Sequence, residues 1–589
     1  MTLVAMIGFA ANEQNTSEGL SAFSSELELR LFLTKAKPDN YGYAYYGGPF
    51  LAESDPRDGE QASYSGTNIQ VAGVDEDDVV KTDGEYIFVA SSNNVTVIKA
   101  FPPESLENVS RIEVSNLVLA SNDSSLHTEG IFVRGDRLVL IVSEHPVYYY
   151  MRAFDADSEY KPPKTIIATY DITDRSNPSF VQSLAISGNY LSSRMNDGCV
   201  YLMTQAAVWT YDDQITIPSL WAGDESSEVP ASDIRYDRDT AEASSFMNLL
   251  AVDVETGAHD LLSIVAGWAS NVYMSNDALY FTVQKYRGAI EWLDGGASPE
   301  DPWTATTSIY KIAIDDLTMT VEATGQVKGW LLNQFSMDDN GRYLRVATTT
   351  SWVRPENAVY VLDDALTTVG SLEGLAPDER IYSSRFIGDV LYLVTFRQMD
   401  PLFVIDLSNP EDPNVVGELK IPGFSSYLHP VGANHILGIG SENGTLKVSL
   451  FDVSDPTTPV EQSHFVPDAR WYSDASYDHK AILFDLEKEL LVIPAYSHSY
   501  EYGGYSYTSG AMVFRVSISD GISLRGIITH ETNESPQWSE SISRSLYIGD
   551  YLYTIGPTTI QVNLLEDLSY IGGLTYNEPR TAYWYEILV

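Results

Sequence analysis

Five acidic residues close together in the sequence form the densest group of side chains that could do chemistry. They are Asp75, Glu76, Asp77, Asp78 and Asp83. Hard cations such as Ca²⁺ take about six to eight oxygen ligands, and carboxylates clustered on a turn can supply several of them. The spacing is not that of an EF-hand loop. The alternative is that these charges cap turns and prevent edge-to-edge strand pairing. The sequence therefore predicts one possible Ca²⁺ site and indicates no other cofactor.

A second group of candidate residues is aromatic and lies in the longest irregular stretches of the chain. These stretches are residues 145–164, 206–245, 286–306, 348–357 and 496–510. Aromatic side chains on loops held by a rigid scaffold suit sugar-ring stacking or protein contacts. The alternative is that the loops fold on one another and bury their rings as a lid. The candidate ligand-binding residues are Trp209, Trp221, Trp292, Trp303, Trp352, Tyr148, Tyr149, Tyr502 and Tyr505.

Catalytic motifs are missing from the sequence. The nine histidines are dispersed and form no HExxH motif, and there is neither a Gly-x-Ser-x-Gly elbow nor a P-loop. The single cysteine, Cys199, allows no intrachain disulfide and no thiolate zinc site. Hydrolysis by a pair of carboxylates needs two groups placed by the fold, and 82 acidic residues give many accidental pairs. We therefore assign no catalytic residue.

The overall charge excludes two classes of partner. The formal net charge is −47, from 82 acidic and 35 basic residues. A field of that sign repels phosphate backbones and anionic lipid surfaces, so we expect neither nucleic-acid binding nor docking on a membrane.

The first residues resemble part of a secretion signal. Residues 2–11 (TLVAMIGFAA) form an apolar run followed by a polar stretch, although no basic residue precedes Arg30. The run is too short to span a bilayer, and no later stretch is long enough. We expect a secreted or cell-surface protein, and a monomer. Residues 1–66 are predicted to hold the signal remnant, a short helix near residues 24–35 and a Tyr/Gly-rich linker.

A repeated pattern fills the rest of the chain, residues 67–589. A turn rich in Gly, Asp and Asn precedes an alternating strand nine times, at intervals of roughly 45 to 80 residues, as in blade repeats. Later strands end in Asp and lead to a Pro-stopped turn, for example at Asp171, Asp406 and Asp452. Short strands with turn signals at every join predict an all-β fold, a single large β-propeller of eight or nine four-stranded antiparallel blades.

One segment carries a family resemblance. Residues 67–84 read TNIQVAGVDEDDVVKTDG. This resembles the segment TNxQVxGVDExDxVKxDG of the secreted β-propeller domain proteins of archaea and bacteria, which are distantly related to WD40 repeats. The resemblance extends with gaps from about Ser24 to the C-terminus. It implies the propeller fold and a location outside the cytoplasm, and it implies no reaction.

Together these features favour a non-enzymatic role, an extracytoplasmic binding scaffold whose ligand is a glycan, a peptide or a protein. One alternative is a hydrolase with carboxylate or metal-assisted chemistry at the central channel. Another is a structural component of the cell surface. Polar titratable residues converging at one mouth of the channel would favour the enzyme, whereas an apolar or tightly plugged channel with exposed Trp and Tyr on the irregular stretches would favour binding.

Overall fold

Each of the nine predicted turns joins the first two strands of a four-stranded antiparallel meander in the computed structural model. The structure describes residues 20–35, 53–54, 63–117, 119, 124–146, 162–208, 210–211, 214–223, 225–238, 243–286, 305–351, 354–396, 400–501, 504–531 and 539–578. Within this part of the chain, seven sheets have four strands, and a six-stranded and a seven-stranded sheet each contain one further meander. We call these nine meanders blades 1 to 9 in chain order.

The strands of each blade follow one another along the chain. The strands of blade 1 are Val80–Thr82, Tyr86–Ser91, Asn94–Lys99 and Glu107–Glu113. Those of blade 2 are Ser124–Arg134, Arg137–Pro146, Lys164–Asp171 and Ser179–Ser187. Those of blade 3 are Asn189–Asn196, Cys199–Ala207, Ser245–Asp253 and His259–Ala266. The strands of blade 4 are Ala269–Met274, Ala278–Tyr286, Ala305–Asp315 and Thr318–Lys328. Those of blade 5 are Met337–Asp339, Leu344–Thr349, Asn357–Leu362 and Thr368–Leu375. Those of blade 6 are Arg380–Ile387, Val390–Phe396, Asp400–Asp406 and Asn414–Ile421. The strands of blade 7 are Phe424–Val431, His435–Glu442, Thr445–Asp452 and Val460–Phe465. Those of blade 8 are Leu483–Asp485, Leu490–Glu501, Gly504–Ser517 and Gly521–Ile528. Those of blade 9 are Arg544–Ile548, Tyr551–Ile555, Thr559–Leu564 and Tyr570–Thr575.

Apolar clusters between neighbouring blades close the blades into a ring. Each of nine buried clusters joins one blade to the next, and one of them joins blade 9 to blade 1 through Ile87, Ile98, Ile548 and Tyr553. The middle strands of a blade are buried on both faces, whereas the fourth strand alternates between buried and exposed residues. The predicted all-β propeller of eight or nine four-stranded blades is therefore confirmed.

The turns form as their sequences predict. Asp171, Asp406 and Asp452 each accept a hydrogen bond at Oδ1 from the backbone N–H two residues later, at 2.9 Å. This is the Asx-turn, which replaces the hydrogen bonds that the ladder loses where the chain reverses. The hydrogen bonds to Ser454 hold the pKa of Asp452 below its ordinary value.

Additional strands enlarge blades 2 and 3 at their outer edges. Ser219–Ala222 pairs with the fourth strand of blade 2, and Glu225–Glu228 pairs with it in turn. Ile234–Tyr236 pairs with the fourth strand of blade 3 and with Ser21–Ala22. The remaining short strands are Glu53–Ser54, Asn68–Ile69, Asp75–Glu76, Thr210–Tyr211, Gln214–Ile215, His530–Glu531 and Ser539–Glu540.

One α-helix, Glu26–Lys35, is present in the described part of the chain, where the sequence predicts a short helix. Leu29 and Leu33 lie one turn apart on its buried face, and with Phe23 they join the apolar cluster between blades 2 and 3. The 3₁₀ turns in the described residues are Pro103–Ser105, Val114–Asn116, Ala231–Asp233, Gln334–Ser336, Asp474–Ser476 and His479–Ala481. A helix of the length and apolarity needed to cross a bilayer does not occur among the described residues.

Candidate functional site

The segment that precedes blade 1 runs along the inside of the ring. We call residues 63–79 the channel segment. Tyr64 pairs with Ile548 of blade 9, Asp75–Glu76 pairs with the first strand of blade 3, and Asp78 pairs with Ile131 of blade 2. Because the first strand of each blade faces the axis, the channel segment fills the central channel before it continues into blade 1. A ring of nine blades exceeds the common range for propellers and leaves a wide channel to fill.

Four consecutive acidic residues of this segment face cations from different parts of the ring. Asp75 Oδ1 lies 2.8 Å from Lys81 Nζ. Asp77 Oδ1 lies 3.6 Å from Lys480 Nζ and accepts a hydrogen bond of 3.0 Å from the Tyr190 hydroxyl. The backbone carbonyls of Glu76 and Asp77 also accept hydrogen bonds from Lys81 and Lys480. The chain is therefore held in the channel by charge-assisted contacts.

A further ion pair joins Asp78 to Arg544 at the start of blade 9. Arg544 Nε lies 2.9 Å from Asp78 Oδ1, and Arg544 Nη1 lies 2.9 Å from Asp478 Oδ2. Burial raises the pKa of Asp78, and the Arg544 guanidinium opposes that shift. Burial by itself lowers the pKa of Lys480. The nearby carboxylates of Asp77, Glu76 and Asp78 have the larger combined effect, so the pKa of Lys480 is raised. Opposite charges are thus desolvated together in the channel.

Close approach of the channel segment to blade 2 depends on a glycine. A Cβ atom at Gly130, in the first strand of blade 2, would overlap the carboxylate of Asp77. The lack of a side chain at position 130 therefore makes room for the segment. Asp77 is almost fully buried as a result.

The five predicted calcium ligands do not converge on one point. Asp83 lies in the turn between the first two strands of blade 1, where it pairs with Arg175 at 3.2 Å. Within the described residues, no group of three or more His, Cys, Asp or Glu side chains is arranged to hold a metal ion. Calcium binding at Asp75, Glu76, Asp77, Asp78 and Asp83 stays a prediction, and lysine and arginine groups now face these carboxylates.

Of the predicted aromatic residues, only Trp221 is described together with its side chain. Its strand pairs with the outer strand of blade 2, opposite Ala185, and Lys164 Nζ lies 5.3 Å from the centre of its ring. Tyr505 lies in the third strand of blade 8, in register with Tyr500. Outside the described residues lie Trp209, Trp292, Trp303, Trp352, Tyr148, Tyr149 and Tyr502. The predicted recognition role of these nine residues stays a prediction.

The aromatic stretch of blade 8 forms a regular hairpin, Leu490–Glu501 with Gly504–Ser517. Tyr472 stacks on His498 with ring centres 5.2 Å apart and on Tyr496 at 5.6 Å, and Tyr496 in turn stacks on Tyr507 at 6.1 Å. These described rings pack on one another, and the choice between a recognition face and a lid stays a prediction.

A cavity of about 690 Å³ opens next to the channel segment. Its walls come from the channel segment, from blades 1, 2 and 9, and from residues at the start of blade 8. The cavity lies on the face of the ring that carries the turns between first and second strands, such as Asp83–Tyr86 and Gly135–Asp136. The end of the second strand and the start of the third strand of each blade lie on the opposite face, because strand direction alternates in a meander.

The charges of the cavity are layered. Glu85, Asp136 and Asp174 are exposed at its rim, whereas Lys81, Arg175, Lys480 and Arg544 are less exposed and paired with carboxylates. Arg175 lies between Asp83 and Asp136, with its Nη1 2.5 Å from Asp136 Oδ1. The cavity therefore presents acceptor oxygens to an incoming molecule, with donors fixed behind them.

The cations that line the channel are the residues that sequence reasoning missed. Arg194 and Arg544 lie in the first strands of their blades, and Lys480 lies in the 3₁₀ turn His479–Ala481 that precedes blade 8. A signal was available, because basic residues are scarce in this acidic chain and Arg194 lies just before a predicted turn. Their partners lie hundreds of positions away, so only the closed ring brings them together.

The fold agrees with the comparisons to known proteins. Residues 64–568 match the Beta propeller domain family, and the chain belongs to that family. It is 30% identical over 611 residues to an uncharacterized protein of Archaeoglobus fulgidus, covering 87% of this chain and 91% of the relative. It is 30% identical over 517 residues to an uncharacterized protein of Methanocaldococcus jannaschii, covering 75% of each.

Among solved structures, the chain is similar to the periplasmic gluconolactonase PpgL of Pseudomonas aeruginosa. The identity is 12%, the match covers 57% of this chain and 93% of that protein, and the TM-score is 0.32.

Proposed function

We propose that this chain is an extracytoplasmic binding propeller that holds a donor-rich ligand, a glycan or a short peptide, in the cavity beside its channel segment. The observation that carries the proposal is the cavity of about 690 Å³, a size typical of ligand sites, into which three blades and the channel segment present charged groups. Acceptor oxygens at its rim suit hydroxyl, amine or amide donors.

Two further features support binding rather than catalysis. In the described part of the chain, the channel segment fills the channel and its carboxylates face lysine and arginine groups, which favours binding over hydrolysis. The acidity of the chain and its apolar first residues support a location outside the cytoplasm. Fractionation of the source cells tests that location, and recovery of the protein only with the cytoplasmic fraction would contradict it.

A hydrolase at the same cavity is the second candidate, and the buried Asp78 beside the cavity favours it. Burial raises the pKa of this carboxyl, as in general acids of hydrolases. However, its hydrogen bonds to Arg544 stabilise the ionised form. A structural role at the cell surface is the third candidate and rests only on the acidity of the chain and its expected export.

Binding is tested by calorimetric titration of the purified protein with neutral oligosaccharides and with short basic and acidic peptides. We expect one class to bind, and the Asp136→Asn variant to weaken that binding at least about tenfold, because a charged hydrogen-bond acceptor at the rim is lost.

The matched control is Asp389→Asn. Asp389 follows Gly388 in the corresponding turn of blade 6, away from the cavity, so this variant should bind normally. Equal weakening of binding in Asp136→Asn and Asp389→Asn would contradict the cavity as the binding site. So would the absence of binding to all the oligosaccharides and peptides tested. Release of hydrolysis products during the titration would favour the hydrolase.

A further inference from the structure

Polar groups near the axis of the ring approach one another without forming hydrogen bonds. Glu76 Oε2 lies 3.7 Å from Arg194 Nη2 and 3.9 Å from His479 Nε2. Among the described residues, neither Glu76 Oε2 nor either ring nitrogen of His479 has a hydrogen-bond partner. All three side chains are almost completely buried. Such atoms are nearly always paired in native proteins, either with protein or with ordered water.

The separations are too long for direct hydrogen bonds between Glu76 Oε2 and either nitrogen. A water molecule displaced from the plane of the three atoms could reach all of them, and it would pair the buried atoms that have no partner. The three groups come from the channel segment, from the first strand of blade 3 and from the 3₁₀ turn before blade 8. Blades 3 and 8 lie nearly opposite in the ring, so the point where these groups meet is close to the axis.

We propose that a single ordered water molecule is bound between Glu76, Arg194 and His479 and joins the channel segment to both sides of the ring. The water donates one hydrogen bond to Glu76 Oε2 and accepts one from Arg194 Nη2. Its remaining hydrogen bond goes to His479 Nε2. Three hydrogen bonds are typical of a buried water.

The charges around this point exclude ions of either sign. A metal cation would lie against the Arg194 guanidinium, and Lys480, Arg544 and Arg385 also surround His479 and, after burial itself, lower its pKa. A chloride ion would lie against the Glu76 carboxylate. A neutral molecule that both donates and accepts hydrogen bonds fits these three groups, and water is the smallest such molecule.

Hydrogen bonds of Gln334 keep Glu76 and Arg194 from shifting into direct contact with His479. Gln334 Nε2 donates to Glu76 Oε1 at 3.4 Å, and Arg194 Nη2 donates to Gln334 Oε1 at 2.9 Å. The second carboxylate oxygen is therefore left facing His479, which is itself fixed by a hydrogen bond of 3.0 Å from Asn68 Nδ2 to its backbone carbonyl.

A crystal structure of the full chain at about 1.5 Å resolution tests the proposal. We expect one density peak at about 2.7–3.2 Å from Glu76 Oε2, Arg194 Nη2 and His479 Nε2. Direct hydrogen bonds among the three side chains, with no peak between them, would overturn it. Crystals soaked in bromide should show no anomalous peak at this position, and metal analysis should find no stoichiometric ion. An anomalous peak or a bound metal would overturn the proposal, because the bridging species would then be an ion.

A variant tests the same site without relying on one crystal. In His479→Phe, a ring of similar size removes one partner of the water and keeps most of the packing, so we expect the peak to weaken or disappear and the melting temperature to fall. Phe335→Leu is the matched control, because Phe335 packs edge-on against His479 with ring centres 6.1 Å apart and touches none of the water's partners through a polar atom. That control should keep the peak. If the peak persists at full strength in His479→Phe, the proposed third hydrogen bond is wrong.

Discussion

Arg544→Met should lower the free energy of unfolding by about 3–5 kcal/mol, the usual cost of removing one partner from a buried ion pair. Arg544 holds Asp78 of the channel segment at 2.9 Å and Asp478 at 2.9 Å, and it is only 11% exposed. Without it, two carboxylates stay in a desolvated position with no guanidinium. Urea-induced unfolding, followed by fluorescence, measures the loss.

Arg515→Met is the matched control for this prediction. Arg515 also pairs with two carboxylates, Glu489 at 2.7 Å and Asp520 at 3.0 Å, but it lies on the surface of blade 8. Exposed ion pairs contribute little to stability, so this variant should unfold nearly as the parent does. Asp78→Asn combined with Arg544→Met should cost less than the sum of the two single changes. Equal effects of Arg544→Met and Arg515→Met would show that the channel contacts do not stabilise the ring.

The repeated elements of this fold could be predicted because their signals are local. The turn at Asn196-Asp197-Gly198 requires residues that adopt positive φ, and both Asp197 and Gly198 do so. Asp406 and Asp452 form Asx-turns with residues two positions later, a distance that sequence shows directly. Nine copies of such signals therefore predicted nine hairpins, and the alternating strands between them predicted the blades.

The path of the channel segment could not be predicted, because its partners are distant in sequence. Asp78 meets Arg544 and Asp77 meets Lys480 only after the ring has closed. A run of carboxylates normally indicates a solvated turn or a cation site. Nothing within the run distinguishes these two cases from a segment buried in the channel of the ring. The cavity beside it has the same origin, since its walls come from blades at both ends of the chain.

Acid should destabilise this protein from about pH 6.5 downward, because two histidines are buried in their neutral form. Burial and Arg385 lower the pKa of His429 to about 3, and burial with four surrounding cations lowers that of His479. Above pH 6.5 both the folded and the unfolded chain hold these rings neutral. Below it the unfolded chain binds protons that the folded chain does not, so stability falls by about 1.4 kcal/mol per pH unit for each ring.

Replacing His429 should make that dependence shallower. In His429→Asn one proton-binding group is lost from the unfolded chain, so the slope of unfolding free energy between pH 6.5 and 4.5 should decrease by about 1.4 kcal/mol per pH unit. The amide can keep the hydrogen bond of 3.0 Å that now joins the Tyr427 hydroxyl to Nδ1. His259→Asn, at an exposed position in the fourth strand of blade 3, is the control and should leave the slope unchanged. Unfolding curves recorded at several pH values decide between these outcomes. Identical slopes for the parent and His429→Asn would mean that His429 takes up its proton inside the folded ring.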